Sequence, residues 1–143
     1  MHGRTETAAT GWSEEGCASL FANLPGAAYR CAISAARDMQ YISPEVERLC
    51  GYPADEFVGQ APARSYSSVI YAEDRAMVER AVKRAVERNQ AFELEYRVTH
   101  ANGDIRWVHE RGLTIADPTG AVRYLVGAIF DANERWIGDN PPP

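Results

Sequence analysis

Between residues 92 and 113 the chain reads FELEYRVTHANGDIRWVHERGL, and this stretch restricts the fold more than any other. Phe92, Leu94, Tyr96 and Val98 alternate with Glu93, Glu95 and Arg97, the two-residue period of a strand with one buried face. Asn102-Gly103 suits the two positive-φ positions of a type I′ turn, so the chain should return antiparallel from Asp104 to about Ile115. A two-residue loop pairs Val98 with Trp107 and Tyr96 with His109. Directly opposed residues share a face. Ile105, Trp107, His109 and Leu113 would therefore join Phe92, Leu94 and Tyr96 on the interior side, leaving Val108 outside.

A second turn, ADPTG, leads into AVRYLVGAIFD at 121–131. Val122, Tyr124, Val126, Ala128 and Phe130 are apolar on one face, Leu125 and Ile129 on the other, as in a central strand covered on both sides. Upstream, residues 27–33 and the segment MQYIS suggest a shorter hairpin. Ser43 followed by Pro44 reads as a helix cap and first helical position, opening PEVERLC, which Gly51 ends. PADEFVG is a further short turn. Asp74 is placed to cap RAMVERAVKRAVERNQ, in which Val78, Val82 and Val86 share one side. SEEGCASLFANL predicts an amphipathic helix within 13–26, after a frayed segment at 1–12, and residues 136–143 read as a proline-ending linker. Strands and helices in this order predict an α+β domain with the helices gathered on one face of an antiparallel sheet.

With 143 residues, 45% of them apolar, the chain is long enough for one core. Fifteen basic against twenty acidic residues give a net charge of −5, which argues against nucleic acid as a partner. No window is apolar enough for membrane insertion, and a cytoplasmic location is expected. Three cysteines without a CxxC pair suggest neither a disulfide framework nor a metal site, so none is assigned.

The blocks LFANLPGAAYRC, YISPEVERLCGYPADEFVG, SYSSVIYAEDRAMV, FELEYRVTHANGDIRWVHERG and GAVRYLVGAIFDANER, in this order and spacing, resemble a PAS domain with its C-terminal PAC part. The likeness is to the modules of bacterial histidine kinases and diguanylate cyclases. It implies a PAS fold over residues 27–135: a five-stranded antiparallel sheet of order 2-1-5-4-3 cupping a pocket beneath the helices, with the N-terminal helix flanking it. It also implies a sensory role in signal transduction rather than enzymatic activity. The chain departs from the family in reading IYAEDR where IHPEDR is common, and DANER where DITER is common.

Members that form a flavin adduct carry a cysteine in a block matching GQAPARSYSSVI, which has none. Members that bind haem usually ligate it from the long helix, and residues 74–89 hold no histidine. Covalent-adduct flavin and haem are thus not expected, non-covalent flavin stays open, and an unidentified small molecule is the expected ligand. The resemblance implies a pocket walled by Leu49, Phe57, Met77, Val82, Tyr96, Trp107, His109 and Ala128, with Asp131 and Arg135 at the junction to an output domain. A homodimer through the N-terminal helix and the outer sheet face (Val108, Leu125, Ile129) is expected, as is a kinase or cyclase output domain outside this chain. A ligandless dimerisation module is the alternative. His109 either hydrogen-bonds a ligand's carboxylate or carbonyl and titrates near neutrality, or stacks on Tyr96 within a closed core.

Overall fold

The computed structural model describes residues 26–34 and 36–133. Strands β1 (Gly26–Cys31), β2 (Met39–Ile42), β3 (Phe92–Thr99), β4 (Ile105–Ala116) and β5 (Val122–Asp131) form one antiparallel sheet of order β2-β1-β5-β4-β3. Between β2 and β3 run helix α1 (Val46–Cys50), a 3₁₀ turn at Ala54–Glu56, helix α2 (Tyr66–Val69), a second 3₁₀ turn at Ala72–Asp74, and the long helix α3 (Arg75–Arg88). Residues 13–25 of the expected flanking helix and the whole of the linker at 136–143 lie outside the described residues, and Gly26 opens β1.

The core lies between the helices and one sheet face. Val46 and Leu49 of α1, Phe57, Tyr66 and Val69 of α2, and Val78 and Val82 of α3 pack on Ala27, Tyr29, Cys31, Tyr96, Val98, Val108, Leu125 and Ile129. At ~25 cal/mol per Å2 of apolar surface removed from water, this contact is the main stabilising contribution.

The register of the β3–β4 hairpin differs by one residue from the expected one. Tyr96 faces Val108 rather than His109, and Val98 faces Arg106 rather than Trp107. The turn is the reason. The Gly103 N–H donates to the His100 carbonyl and the His100 N–H to the Asp104 carbonyl, both at 2.8 Å, and among these residues only Gly103, at φ 96°, is left-handed. This is the longer loop in which glycine follows an ordinary turn, not a two-residue type I′ turn. Tertiary contact selects it: the Ala101 N–H donates to the Cys50 carbonyl (2.9 Å), so the loop sits on the end of α1. Because strand side chains alternate, a one-residue slip exchanges the whole of one face for the other. Val108 and Glu110 thereby point to the helices, and Trp107 and His109 point away. Along β5, Leu125 and Ile129 are core, while Ala128, paired with Arg111 and Ala28, is on the outer face. The expected outer interface of Val108, Leu125 and Ile129 is therefore the interior.

Two expected helix caps serve tertiary contacts instead. The Ser43 hydroxyl accepts from the Ala28 N–H (2.9 Å), closing β1 onto the segment after β2. The Asp74 carboxylate accepts from the backbone N–H (2.8 Å), Nε (3.0 Å) and Nη2 (2.6 Å) of Arg97, pinning the start of α3 to edge strand β3. Those hydrogen bonds hold the Asp74 carboxyl below the usual carboxylate range. Asp74→Ala should lower stability by about 1 kcal/mol, the usual size of a partly exposed charge-assisted contact. A change of only a few tenths in urea unfolding would contradict this placement.

Candidate functional site

The slip in register brings a carboxylate into the interior. Glu110, in the middle of β4, is fully buried, and so is its partner Arg37, on the loop joining β1 to β2. The guanidinium meets the carboxylate with both terminal nitrogens, Nη1 to Oε1 at 3.1 Å and Nη2 to Oε2 at 2.6 Å. The Tyr29 hydroxyl donates to Oε2, and the Tyr96 hydroxyl donates to Oε1 at 2.7 Å. Tyr96 in turn receives from the Tyr66 hydroxyl, 2.8 Å away on α2. The Arg37 guanidinium lies over the rings of Tyr29 (5.3 Å) and Tyr66 (5.5 Å), and its Nη2 is 3.8 Å from the Cys31 thiol. Five elements thus converge on one buried charge pair.

Two features of the backbone make room for it. Arg37 is left-handed at φ 59°, a conformation that persists for a residue with a side chain only when its surroundings demand it. Gly112 and Gly127 face each other across β4 and β5, and Tyr29 crosses them to reach Glu110. A Cβ on Gly127 would stand 2.7 Å from the Tyr29 hydroxyl, and one on Gly112 2.8 Å from it. These glycines leave the space the tyrosine needs.

Burial alone would raise the Glu110 carboxyl, but the Arg37 charge and the hydrogen bonds from Arg37, Tyr29 and Tyr96 outweigh it and hold the group below its ordinary value. Burial, reinforced by the Glu110 charge, pushes Tyr29, Tyr66 and Tyr96 well above the ordinary phenol range. The signs fix two limbs of pH dependence. A depressed carboxyl stabilises the fold fully above its unfolded value, about 4.3, and that contribution is lost as pH falls below it. Raised phenols contribute below their unfolded value, about 10, and that contribution is lost as pH rises above it. Tyrosinate absorbance should therefore show these three rings ionising only with unfolding, and each Tyr→Phe substitution should remove amplitude from that step. Their ionisation in the folded chain near the ordinary value would contradict the cluster.

Leu49, Phe57, Val82 and Tyr96 are brought together in the core. Met77 is more than a third exposed on α3, and Trp107, His109 and Ala128 lie on the outer face, away from the helices. His109 sits between two carboxylates of β3, Nε2 at 2.7 Å from Glu93 and Nδ1 at 3.1 Å from Glu95. With Glu93, Arg111, Phe130, Asp131 and Ala132 it lines a shallow depression of about 380 Å3. Asp131 ends β5, where its carboxylate accepts from the Asn133 N–H (2.8 Å); Arg135 lies outside the described residues. The pocket expected from the sequence did not include Glu110, Arg37, Tyr29, Tyr66 or Cys31. Among the described residues no group of three or more His, Cys, Asp and Glu could hold a metal ion, and no helix is long and apolar enough to cross a membrane.

The family model described as PAS fold matches residues 39–129, the span from β2 to β5. The chain belongs to the PAS family. Over 81 residues this PAS domain is 34% identical to the sensor protein FixL of Bradyrhizobium diazoefficiens; the match covers 54% of the chain and 16% of FixL, so the chain corresponds to a small part of that relative. It superposes on a sensory box histidine kinase/response regulator from Burkholderia thailandensis with a TM-score of 0.67 and 25% identity, covering 85% of this chain and 88% of the other. The N-terminal domain of a diguanylate cyclase with PAS/PAC sensor from Marinobacter aquaeolei shares the fold, with a TM-score of 0.66, 22% identity and coverage of 77% and 97%. A PAS sensory module of bacterial signalling proteins is what these likenesses describe.

Proposed function

We propose that this PAS domain senses an unidentified small molecule that enters the interior beside Arg37 and Glu110, and that residues 27–135 pass the change to a partner copy or to an adjoining kinase or cyclase domain. The fully buried charge pair with its three tyrosines carries this reading. A buried ion pair is weak as a stabilising device, because apolar residues of similar volume often serve the fold equally well. Ionisable groups perturbed by burial and a specific partner are more common at functional sites. A strained left-handed Arg37 points the same way.

Native mass spectrometry of the chain purified from bacteria tests it. The wild-type chain should carry a non-covalent small-molecule adduct, and the Arg37→Met/Glu110→Leu double variant should not. Bare chain in both samples would sink the reading.

The second reading, a module that works by dimerisation without a ligand, is favoured by the outer face. Leu113 and Ile105 are 52% and 43% exposed there, in the same face as Trp107, Val126 and Phe130. Leu113→Asp should then weaken self-association at least tenfold in sedimentation, about 1.4 kcal/mol. A wild-type chain that stays monomeric at high concentration rejects this version.

A further inference from the structure

Arg37 has a donor that the cluster leaves unused. Its two terminal nitrogens are committed to Glu110, and Nη2 also approaches the soft Cys31 sulfur, but the buried Nε–H has no hydrogen-bond partner among the described residues. The side chain is 4% exposed, and a buried N–H without an acceptor is costly and uncommon. We propose that this Nε edge is the polar anchor of the internal ligand, and that the ligand offers it a neutral oxygen acceptor, the carbonyl of an amide-like small molecule, rather than a carboxylate. The proposal rests on the sensory reading above and names the chemical class that reading leaves open.

Charge and donor inventory decide the class. Glu110 already neutralises Arg37, so a second carboxylate would leave a net negative charge in the interior, where an uncompensated charge is strongly disfavoured. The donors that would offset such a charge are taken. Tyr29 and Tyr96 donate their hydroxyl protons to Glu110, and Tyr66 donates its own to the Tyr96 oxygen. A neutral carbonyl needs only the one N–H that is free.

The test observes the anchor itself. In the 15N-labelled full chain, the Arg37 Nε–H resonance is assigned by its loss in Arg37→Lys, or, should that variant not fold, by its through-space contact with the Tyr29 ring. N-methylacetamide and sodium acetate are then titrated separately at matched ionic strength. N-methylacetamide should move the Nε–H resonance saturably, with acetate at least tenfold weaker. Acetate moving it as strongly would overturn the proposed class while leaving an internal ligand site in place. If neither probe moves it and the proton exchanges with a resident water, the anchor proposal fails. The mass-spectrometric comparison judges the sensory reading separately.

Discussion

Glu110→Ala should destabilise this PAS domain by about 3–5 kcal/mol, because it leaves the Arg37 guanidinium buried without its counterion. The loss is a large share of the whole stability of a small domain, about 5–15 kcal/mol, so the variant should unfold at a markedly lower urea concentration than the wild type. Arg37→Met alone should cost a similar amount by stranding Glu110. The double variant Arg37→Met/Glu110→Leu removes both charges and should recover most of the loss, since an apolar replacement of a buried pair is often neutral or stabilising. Urea unfolding of the wild type, Arg37→Met, Glu110→Leu and the double variant forms a double-mutant cycle. Additive single effects would mean that the two groups do not interact, and the interior site would have to be abandoned.

Gly127→Ala should be the next most disruptive change, at about 1–3 kcal/mol. A methyl there runs into the Arg111 carbonyl of the neighbouring strand and stands 2.7 Å from the Tyr29 hydroxyl. The strand backbone cannot easily give way, so Tyr29 must move and its hydrogen bond to Glu110 lengthens. The substitution should therefore lower the thermal midpoint and also bring the Tyr29 ionisation down toward the ordinary phenol range. A stable variant with unchanged tyrosine titration would show that Tyr29 does not lie across the two glycines.

Why one part of this arrangement was legible in the sequence and another was not follows from the range of the interactions. The sheet order and the buried face of β3 came from local signals, strict alternation and the family blocks, and Phe92, Leu94, Tyr96 and Val98 do share the inner face. The face of β4 depended on a single turn. Asn102-Gly103 favours a two-residue loop locally, but the Ala101 N–H is held by Cys50, about fifty residues earlier, and the longer loop results. The composition of β4 then misleads. Its outward residues include Trp107, His109 and Leu113, whereas its inward ones are Arg106, Val108, Glu110 and Gly112. By hydropathy the outward set is the better core. Glu110 is inside because Arg37, 73 positions away, is there to meet it, and pairing at that separation leaves no periodic trace. Gly112 and Gly127 were the available hint, since two glycines in otherwise apolar strands mark a close approach. Ser43 and Asp74 misled for a related reason: good cap residues locally, they are claimed by Ala28 and Arg97.

All of this turns on which residue of β4 stands across from Tyr96. Through-space proton contacts between facing strand residues measure it directly. The account predicts backbone contacts linking Tyr96 to Val108 and Glu95 to His109, which put Glu110 against Arg37 and the imidazole on the outer face. Contacts linking Tyr96 to His109 would return the imidazole to the interior, carry Glu110 out to solvent, and contradict the site.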